Sequence, residues 1–217
     1  MRIFLTGATG FLGNNLLRLL LDDGHNVTVS IRHSSDPRPL DGLDVEKCEI
    51  DLAKPTSVSQ AIYGHDLVIH SAAMIQIGWT KLAASRAINV TGTKAIAEAT
   101  RRHGVRMVYV STVDALASGS KDHTATEIDL EPSKPACSYV VSKREAEIAF
   151  LKEVENGLDG IIVNPGFMVG PWDWKPSSGQ MMLAIAKQFV PFAPSGGCSV
   201  ADVRDVAAGI VLSLIHI

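Results

Sequence analysis

No run of 18 apolar residues occurs in the sequence, so no helix in it is expected to span a bilayer. There is no basic run. With 20 Lys and Arg against 23 Asp and Glu the formal net charge is −3, so nucleic acid is not an expected partner. Cysteine is scarce: Cys48, Cys137 and Cys198 are odd in number, far apart and outside any C-x-x-C pair. That excludes a disulfide framework and a cysteine metal site, and it reads as reduced thiols in a cytoplasmic protein. No basic, apolar and small-residue leader opens the chain, so no signal peptide is read. Solenoid-period repeats and low-complexity tracts are both missing. What is present is a chain of 217 residues, 46% hydrophobic and 20% charged, long enough to bury a core in one domain, or in one domain plus a small lobe.

The stretch that organises the rest is MRIFLTGATGFLG, residues 1–13. Residues 2–6 read as a strand. Gly7, Gly10 and Gly13 follow at G-x-x-G-x-x-G spacing, and 14–21 read as a helix with a broad leucine face. Strand, glycine turn and helix together make a dinucleotide site. Gly7 permits the tight turn, Gly10 brings the backbone close to a pyrophosphate, and Gly13 packs the helix against the strand. The helix N-terminus then faces the phosphates.

Further strands are expected at 27–31, 44–50, 67–70, 105–111 and 160–164. Helices are expected at 14–23, 55–63, 82–103, 138–156, 177–188 and 203–214, with a long polar loop at 114–137. Apolar strands alternating with helices imply an α/β fold: a doubly wound, Rossmann-type parallel sheet of order 3-2-1-4-5-6, helices on both faces, ligands at the carboxyl ends of the strands. At the end of the second strand an NAD-selective site wants a carboxylate, yet no acid occurs until Asp36. Arg32 stands there instead, suited to a 2′-phosphate. NADP is therefore the expected cofactor, with NAD as the alternative.

Tyr139 and Lys143 fall at i and i+4 of the expected helix 138–156 and share a face. An ammonium beside a phenol favours the phenolate, so Lys143 is expected to lower the Tyr139 pKa for acid–base work. With the opening motif, this pair makes the chain resemble the extended short-chain dehydrogenase/reductases, in the epimerase/dehydratase and dihydroflavonol-4-reductase-like group. The resemblance implies an NAD(P)-dependent oxidoreductase acting on a carbonyl or secondary alcohol of a small molecule. Its alternative is a nucleotide-sugar epimerase or dehydratase with retained NAD.

Carried over residue by residue, the resemblance implies that Tyr139 moves the proton and Lys143 holds the nicotinamide ribose. Thr112 at the end of the fifth strand, with Ser111 beside it, binds the substrate oxygen. Asn89, in I-N-V-T-G-T, supports the Lys. Gly7, Thr9, Gly10, Phe11, Leu12 and Gly13 cradle the cofactor, with Arg32 beyond them. Asp51 and Leu52 match the family's adenine-contacting pair, and Ser71, Ala72 and Ala73 its H-x-A-A segment. Pro165, Gly166 and Val169, in the P-x-x-V-x-G-P-like segment, lie beside the nicotinamide. Trp172 and Trp174, residues 75–79 and loop 114–137 are candidate pocket walls.

Residues 1–170 are expected to form the dinucleotide-binding domain, and 171–217 the start of a truncated substrate lobe, the rest of that lobe being largely missing. Relatives often pair through two long helices, here 82–103 and 138–156, so a homodimer is expected.

Overall fold

In the computed structural model of the chain, β1 (Arg2–Thr6) is buried from Ile3 to Thr6 and pairs with a parallel strand on each side. The structure describes residues 1–53, 57–117, 119, 122–127, 137–176, 178–188 and 197–213, with only the backbone at 178 and 181. The expected starts of two helices, at 55 and 177, the end of the last, at 214, and much of loop 114–137 lie outside the described residues.

After β1 come α1 (Phe11–Asp22), β2 (Asn26–Ile31), β3 (Glu46–Glu49), α2 (Val58–Ile62) and β4 (Leu67–His70). A long helical run follows: α3 (Leu82–Ser85), a π-helical segment (Arg86–Thr91) and α4 (Gly92–Arg102). Next are β5 (Arg106–Val110), α5 (Ser138–Glu155), β6 (Gly160–Val163), β7 (Phe167–Val169), α6 (Ser178–Lys187), β8 (Val200–Asp202) and α7 (Val203–Leu212). The main sheet has the order β3-β2-β1-β4-β5-β6, parallel throughout. This is the doubly wound order read from the sequence.

Both faces of the sheet are covered, which is why the strands run apolar without alternation. Side chains of successive strand residues still go to opposite faces. Ile3, Leu5, Val29, Ile69 and Val108 pack with Leu16, Leu17 and Leu20 of α1 and with Val203, Ala207 and Ile210 of α7. Phe4, Val68, Met107 and Tyr109 pack with Ile62 of α2, Ile96 of α4, and Ala146 and Phe150 of α5. Each fully buried aliphatic or aromatic chain contributes about 1.5–3 kcal/mol relative to exposure. α7 follows the boundary expected near residue 170, yet it packs on α1 in the first of these clusters.

The structure differs from the sequence reading in three local features. The first helix, expected from 14, begins at Phe11, so Gly13 lies inside it. The expected single helix 82–103 contains a π-helical segment at Arg86–Thr91 that carries buried Asn89; such segments are frequent at functional sites. The P-x-x-V-x-G-P-like segment also contains β7, for which no strand was expected and which pairs in parallel with β8, Phe167 opposite Val200. Strands of three residues are too short to leave a periodic signal.

Candidate active site

The turn after β1 is built by glycine. Gly7 has φ +80, and a Cβ there would lie 2.7 Å from the Ala72 nitrogen, so the turn and the segment after β4 touch backbone to backbone. A Cβ on Gly13 would lie 2.1 Å from the Gly7 carbonyl oxygen. α1 begins at N-cap Gly10 with no side-chain cap and no acid in its first turn. Among the described residues its leading N–H groups meet no side-chain acceptor, in the arrangement that receives an anion. Thr9 and Phe11 are half-buried at this turn, and the Leu12 side chain is in the core. Asn14, which the sequence reading passed over, donates to the carbonyls of Ala8 (3.2 Å) and Pro39 (2.8 Å), tying the turn to the loop after β2.

Arg32 is exposed just past β2. Its backbone N–H donates to Ser35 Oγ at 2.9 Å, and its guanidinium makes no ion pair among the described residues. Asp36, the acid that could compete for it, is paired with Arg38 at 2.7 Å. That guanidinium holds the Asp36 carboxyl down at about 2. Asp51 is exposed and accepts from the Ala53 N–H at 3.0 Å. Leu52 is buried against Gly92, where a Cβ would lie 3.0 Å from that of Leu52. After β4, the Ser71 N–H donates to the Thr6 carbonyl and the Ala72 N–H to Thr6 Oγ1 at 3.1 Å, while Ala73 is exposed beyond.

The catalytic candidates meet at the carboxyl end of β5. Thr112 Oγ1 accepts from the Asp114 N–H at 3.3 Å, and the Tyr139 phenol lies against the Thr112 hydroxyl. Ser111 Oγ is buried beside the Tyr109 phenol. Of the two hydroxyls weighed from the sequence, Thr112 is the one that faces Tyr139. The first N–H groups of α5 are taken by the loop after β4: Ser138 donates to the Gly78 carbonyl (2.8 Å) and Tyr139 to the Gln76 carbonyl (3.1 Å). Residues 75–79 therefore hold the turn that carries Tyr139.

Lys143 is fully buried and donates to the Val110 carbonyl at 2.7 Å, with Nζ 4.4 Å from the centre of the Tyr109 ring. Burial pushes its pKa down to about 7, opposed by Glu147 one turn along α5. The sequence reading has Lys143 lowering the Tyr139 pKa. In the structure burial raises the phenol to about 12, with the Thr112 hydroxyl opposing that rise and Asp114 and Cys137 adding to it. The ammonium is directed at Val110, and desolvation of the phenol outweighs what spacing alone suggests.

Asn89 acts on main chain and on a hydroxyl. Its Oδ1 accepts from the Met74 N–H (2.7 Å), and its Nδ2 donates to the Met74 carbonyl (3.0 Å) and to Ser142 Oγ (2.9 Å). Ser142 Oγ in turn donates to the Tyr139 carbonyl at 2.9 Å. Asn89 thus ties the segment after β4 to the catalytic turn, one residue from Lys143. Asn164, also passed over in the sequence, donates to the Thr112 carbonyl (3.0 Å) and to Glu147 Oε1 (2.7 Å). The buried Pro165 accepts from the Val113 N–H at 2.9 Å, and Gly166 packs by Ser199, where a Cβ would lie 3.3 Å from its carbonyl oxygen.

Val169 lines a cavity of about 390 Å³ with Gly170, Asp173, Pro176, Gly179, Met182 and Leu183. The two tryptophans expected in a pocket wall are outside that lining. Trp172 and Trp174 stack at 6.2 Å between ring centres, and Arg18 sits 3.6 Å over the Trp172 ring. Among the described residues no cluster of His, Cys, Asp or Glu could hold a metal, and no helix is long and apolar enough to cross a membrane.

Comparison with known proteins bears on this arrangement. The model of the NAD dependent epimerase/dehydratase family matches residues 3–216. Sterol demethylase protein B of Methylococcus capsulatus is 36% identical over 99% of this chain and 66% of its own length. A Synechocystis sp. protein provisionally named a dihydroflavonol 4-reductase is 35% identical over 97% of this chain and 62% of its own. The crystal structure of gox2253 superposes with a TM-score of 0.85 at 32% identity, over 98% of this chain and 66% of that one. The chain thus spans somewhat less than two thirds of these relatives' length.

Proposed function

We propose that this chain, which belongs to the NAD dependent epimerase/dehydratase family, reduces a carbonyl group with NADPH or oxidises the corresponding secondary alcohol. The observation that carries this reading is the meeting of Thr112, Tyr139 and Lys143 at the carboxyl end of β5.

The residues present fit a dinucleotide. The Gly7–Gly13 turn offers a helix start without a side-chain cap to a pyrophosphate, with Thr9, Gly10, Phe11 and Leu12 along it. Asp51 and Leu52 would flank the adenine, and Ser71, Ala72 and Ala73 would lie along the cofactor. Pro165, Gly166 and Val169 would border the nicotinamide. Arg32, with no acid free to replace it, favours a 2′-phosphate and hence NADP over NAD. In its ammonium form Lys143 carries three N–H donors and uses one on Val110, leaving two for a ribose diol.

NADPH, when bound, supplies the hydride. Tyr139 donates its phenolic proton to the substrate oxygen while the Thr112 hydroxyl hydrogen-bonds that oxygen. A phenol held at about 12 is fully protonated at neutral pH, the form that reduction needs. Oxidation needs the phenolate and is expected to gain only in alkaline solution. Asn89 and Asn164 keep the Tyr139 turn and the Thr112 strand end in register.

An apolar, uncharged substrate suits the cavity beside Val169: Pro176, Met182 and Leu183 line it, and Asp173 would repel a diphosphate. Sterol and dihydroflavonol, in the names of two relatives, are ring compounds of that kind. The second reading is a nucleotide-sugar epimerase or dehydratase with retained NAD. The family description favours it, and Arg32 stands against it.

Two further expectations belong to this proposal. A homodimer through helices 82–103 and 138–156 is supported by α4 packing beside α5 and by exposed Ile148 and Leu151 on α5. A cytoplasmic location is supported by three free thiols.

The test is a fluorescence titration with NADPH and NADH of the chain and of Arg32→Ala, followed by turnover on apolar ketones. Tight NADPH binding that weakens about 10- to 100-fold in Arg32→Ala, with NADH unaffected, is expected. Preference for NADH with Arg32→Ala neutral would move the epimerase or dehydratase reading to the front.

A further inference from the structure

Below Tyr139 and Lys143 runs a line of buried polar groups that the reaction above does not use. Thr6, His70, Thr93 and Tyr109 come from β1, β4, α4 and β5, and none is more than 1% exposed. His70 is held through both ring nitrogens, Nδ1 at 2.7 Å from Thr6 Oγ1 and Nε2 at 3.0 Å from Thr93 Oγ1. Hydroxyls donate or accept, so either neutral tautomer is satisfied. Burial first, then the Lys143 charge, pushes the His70 pKa down to about 3. The neutral imidazole stacks on the Tyr109 ring, 5.6 Å between centres and 20° between planes.

Lys143 shares this interior. It is 1% exposed and makes no carboxylate ion pair among the described residues. The groups that face it are Glu147 from α5, Tyr109 from β5 and His70 from β4. Glu147 Oε1 accepts from Asn164 at 2.7 Å. An ammonium removed from water without a paired carboxylate gives up its proton unless other groups stabilise the charge.

We propose that Tyr109 is the positioning residue of the Lys143 ammonium: its ring, 4.4 Å from Nζ, and the Val110 carbonyl, 2.7 Å away, hold the charge at the end of β5. The negative face of an aromatic ring attracts a cation, most strongly where water is excluded. The ring carries this role and the hydroxyl does not, because Nζ lies over the ring face while the phenol oxygen is directed at Thr93 and Ser111. Burial and the Lys143 charge keep His70 neutral, so no imidazolium stacked on the same ring competes with Lys143. Tyr109 touches neither substrate nor cofactor in this arrangement; it acts through Lys143, and its bearing on catalysis rests on the role proposed for that lysine.

The test reads the lysine directly. The full chain, labelled with 13Cε-lysine and with the Lys143 signal assigned through Lys143→Met, is titrated by NMR. The Lys143 midpoint should fall by about one pH unit in Tyr109→Leu and stay in place in Tyr109→Phe. Because Tyr109→Leu opens a core cavity and could fail to fold, a second series places phenylalanines of increasing ring fluorination at position 109. These keep the shape and drain the ring face of electrons, and the midpoint should fall step by step. A midpoint unchanged across the series overturns the proposal, as does a Tyr109→Phe midpoint as low as that of Tyr109→Leu. NADPH turnover measured on the same samples separates the two readings: a shifted midpoint in a chain that reduces nothing removes the reductase and leaves the role of Tyr109 standing.

Discussion

Gly13 packs so tightly on Gly7 that a Cβ at position 13 would lie 2.1 Å from the Gly7 carbonyl oxygen. Neither backbone can yield without moving β1 or α1, both of which sit in the core. Gly13→Ala should therefore cost about 3 kcal/mol of stability, read as a lower urea midpoint. At Gly10 the corresponding distance is 3.2 Å and φ is −91. Gly10→Ala should cost about 1 kcal/mol or less yet weaken NADPH binding at least about tenfold, because a methyl group then stands where the pyrophosphate approaches. Equal stability losses in the two variants would contradict this division.

Tyr139→Phe should lower kcat by about 10²- to 10⁴-fold and leave the NADPH Kd unchanged, since the phenolic proton is lost and the ring stays. Thr112→Val should lower kcat and Ser111→Ala should not, because Thr112 faces Tyr139 and Ser111 Oγ is buried beside Tyr109. A Ser111→Ala effect larger than that of Thr112→Val would reverse the assignment.

Asn89→Leu should destabilise the chain by about 2–4 kcal/mol, because the Met74 N–H and carbonyl lose partners inside the protein. The segment after β4 would then loosen from the Tyr139 turn. Hydrogen exchange at Met74 and at Ser142 should quicken together in the variant, and protection unchanged at both would count against the bridge.

The pH dependence of stability has two windows with opposite origins. His70 drops from 6.5 to about 3 on folding, so the unfolded chain binds the extra proton between those values. Its contribution is complete above pH 6.5 and is lost as pH falls towards 3, by up to about 5 kcal/mol. Urea midpoints between pH 7 and 4 should fall more steeply in the natural chain than in His70→Gln. Lys143 drops from 10.5 to about 7, so stability rises as pH goes from 7 to 10.5. Below pH 7 the buried charge is carried at full cost, and Lys143→Met should gain about 2 kcal/mol there while losing activity. A destabilised Lys143→Met at pH 6 would show the sign to be wrong.

The sequence by itself determined the parts of this protein that depend on neighbours along the chain. The glycine spacing after an apolar strand specified the βα turn. Strands of apolar residues alternating with helices specified a parallel sheet of order 3-2-1-4-5-6, because only strands covered on both faces lack alternation. Tyr139 and Lys143, Arg32, and the strand-end hydroxyls could be named as candidates, since each is marked by its distance from such an element.

Tertiary structure decided what those residues face. Spacing puts Lys143 on the same helix face as Tyr139, but β5 supplies the Val110 carbonyl and the Tyr109 ring that the ammonium meets. Asn89 is legible as part of a motif, whereas its partners at Met74 and Ser142 lie 15 and 53 residues away. Asn164, Thr6 and Thr93 carry no local signal, because a polar residue declares its role only when burial leaves it one partner to choose. Burial also set the sign of the Tyr139 shift. Desolvation is a property of everything packed around the phenol, and a linear spacing of four residues holds no information about that environment.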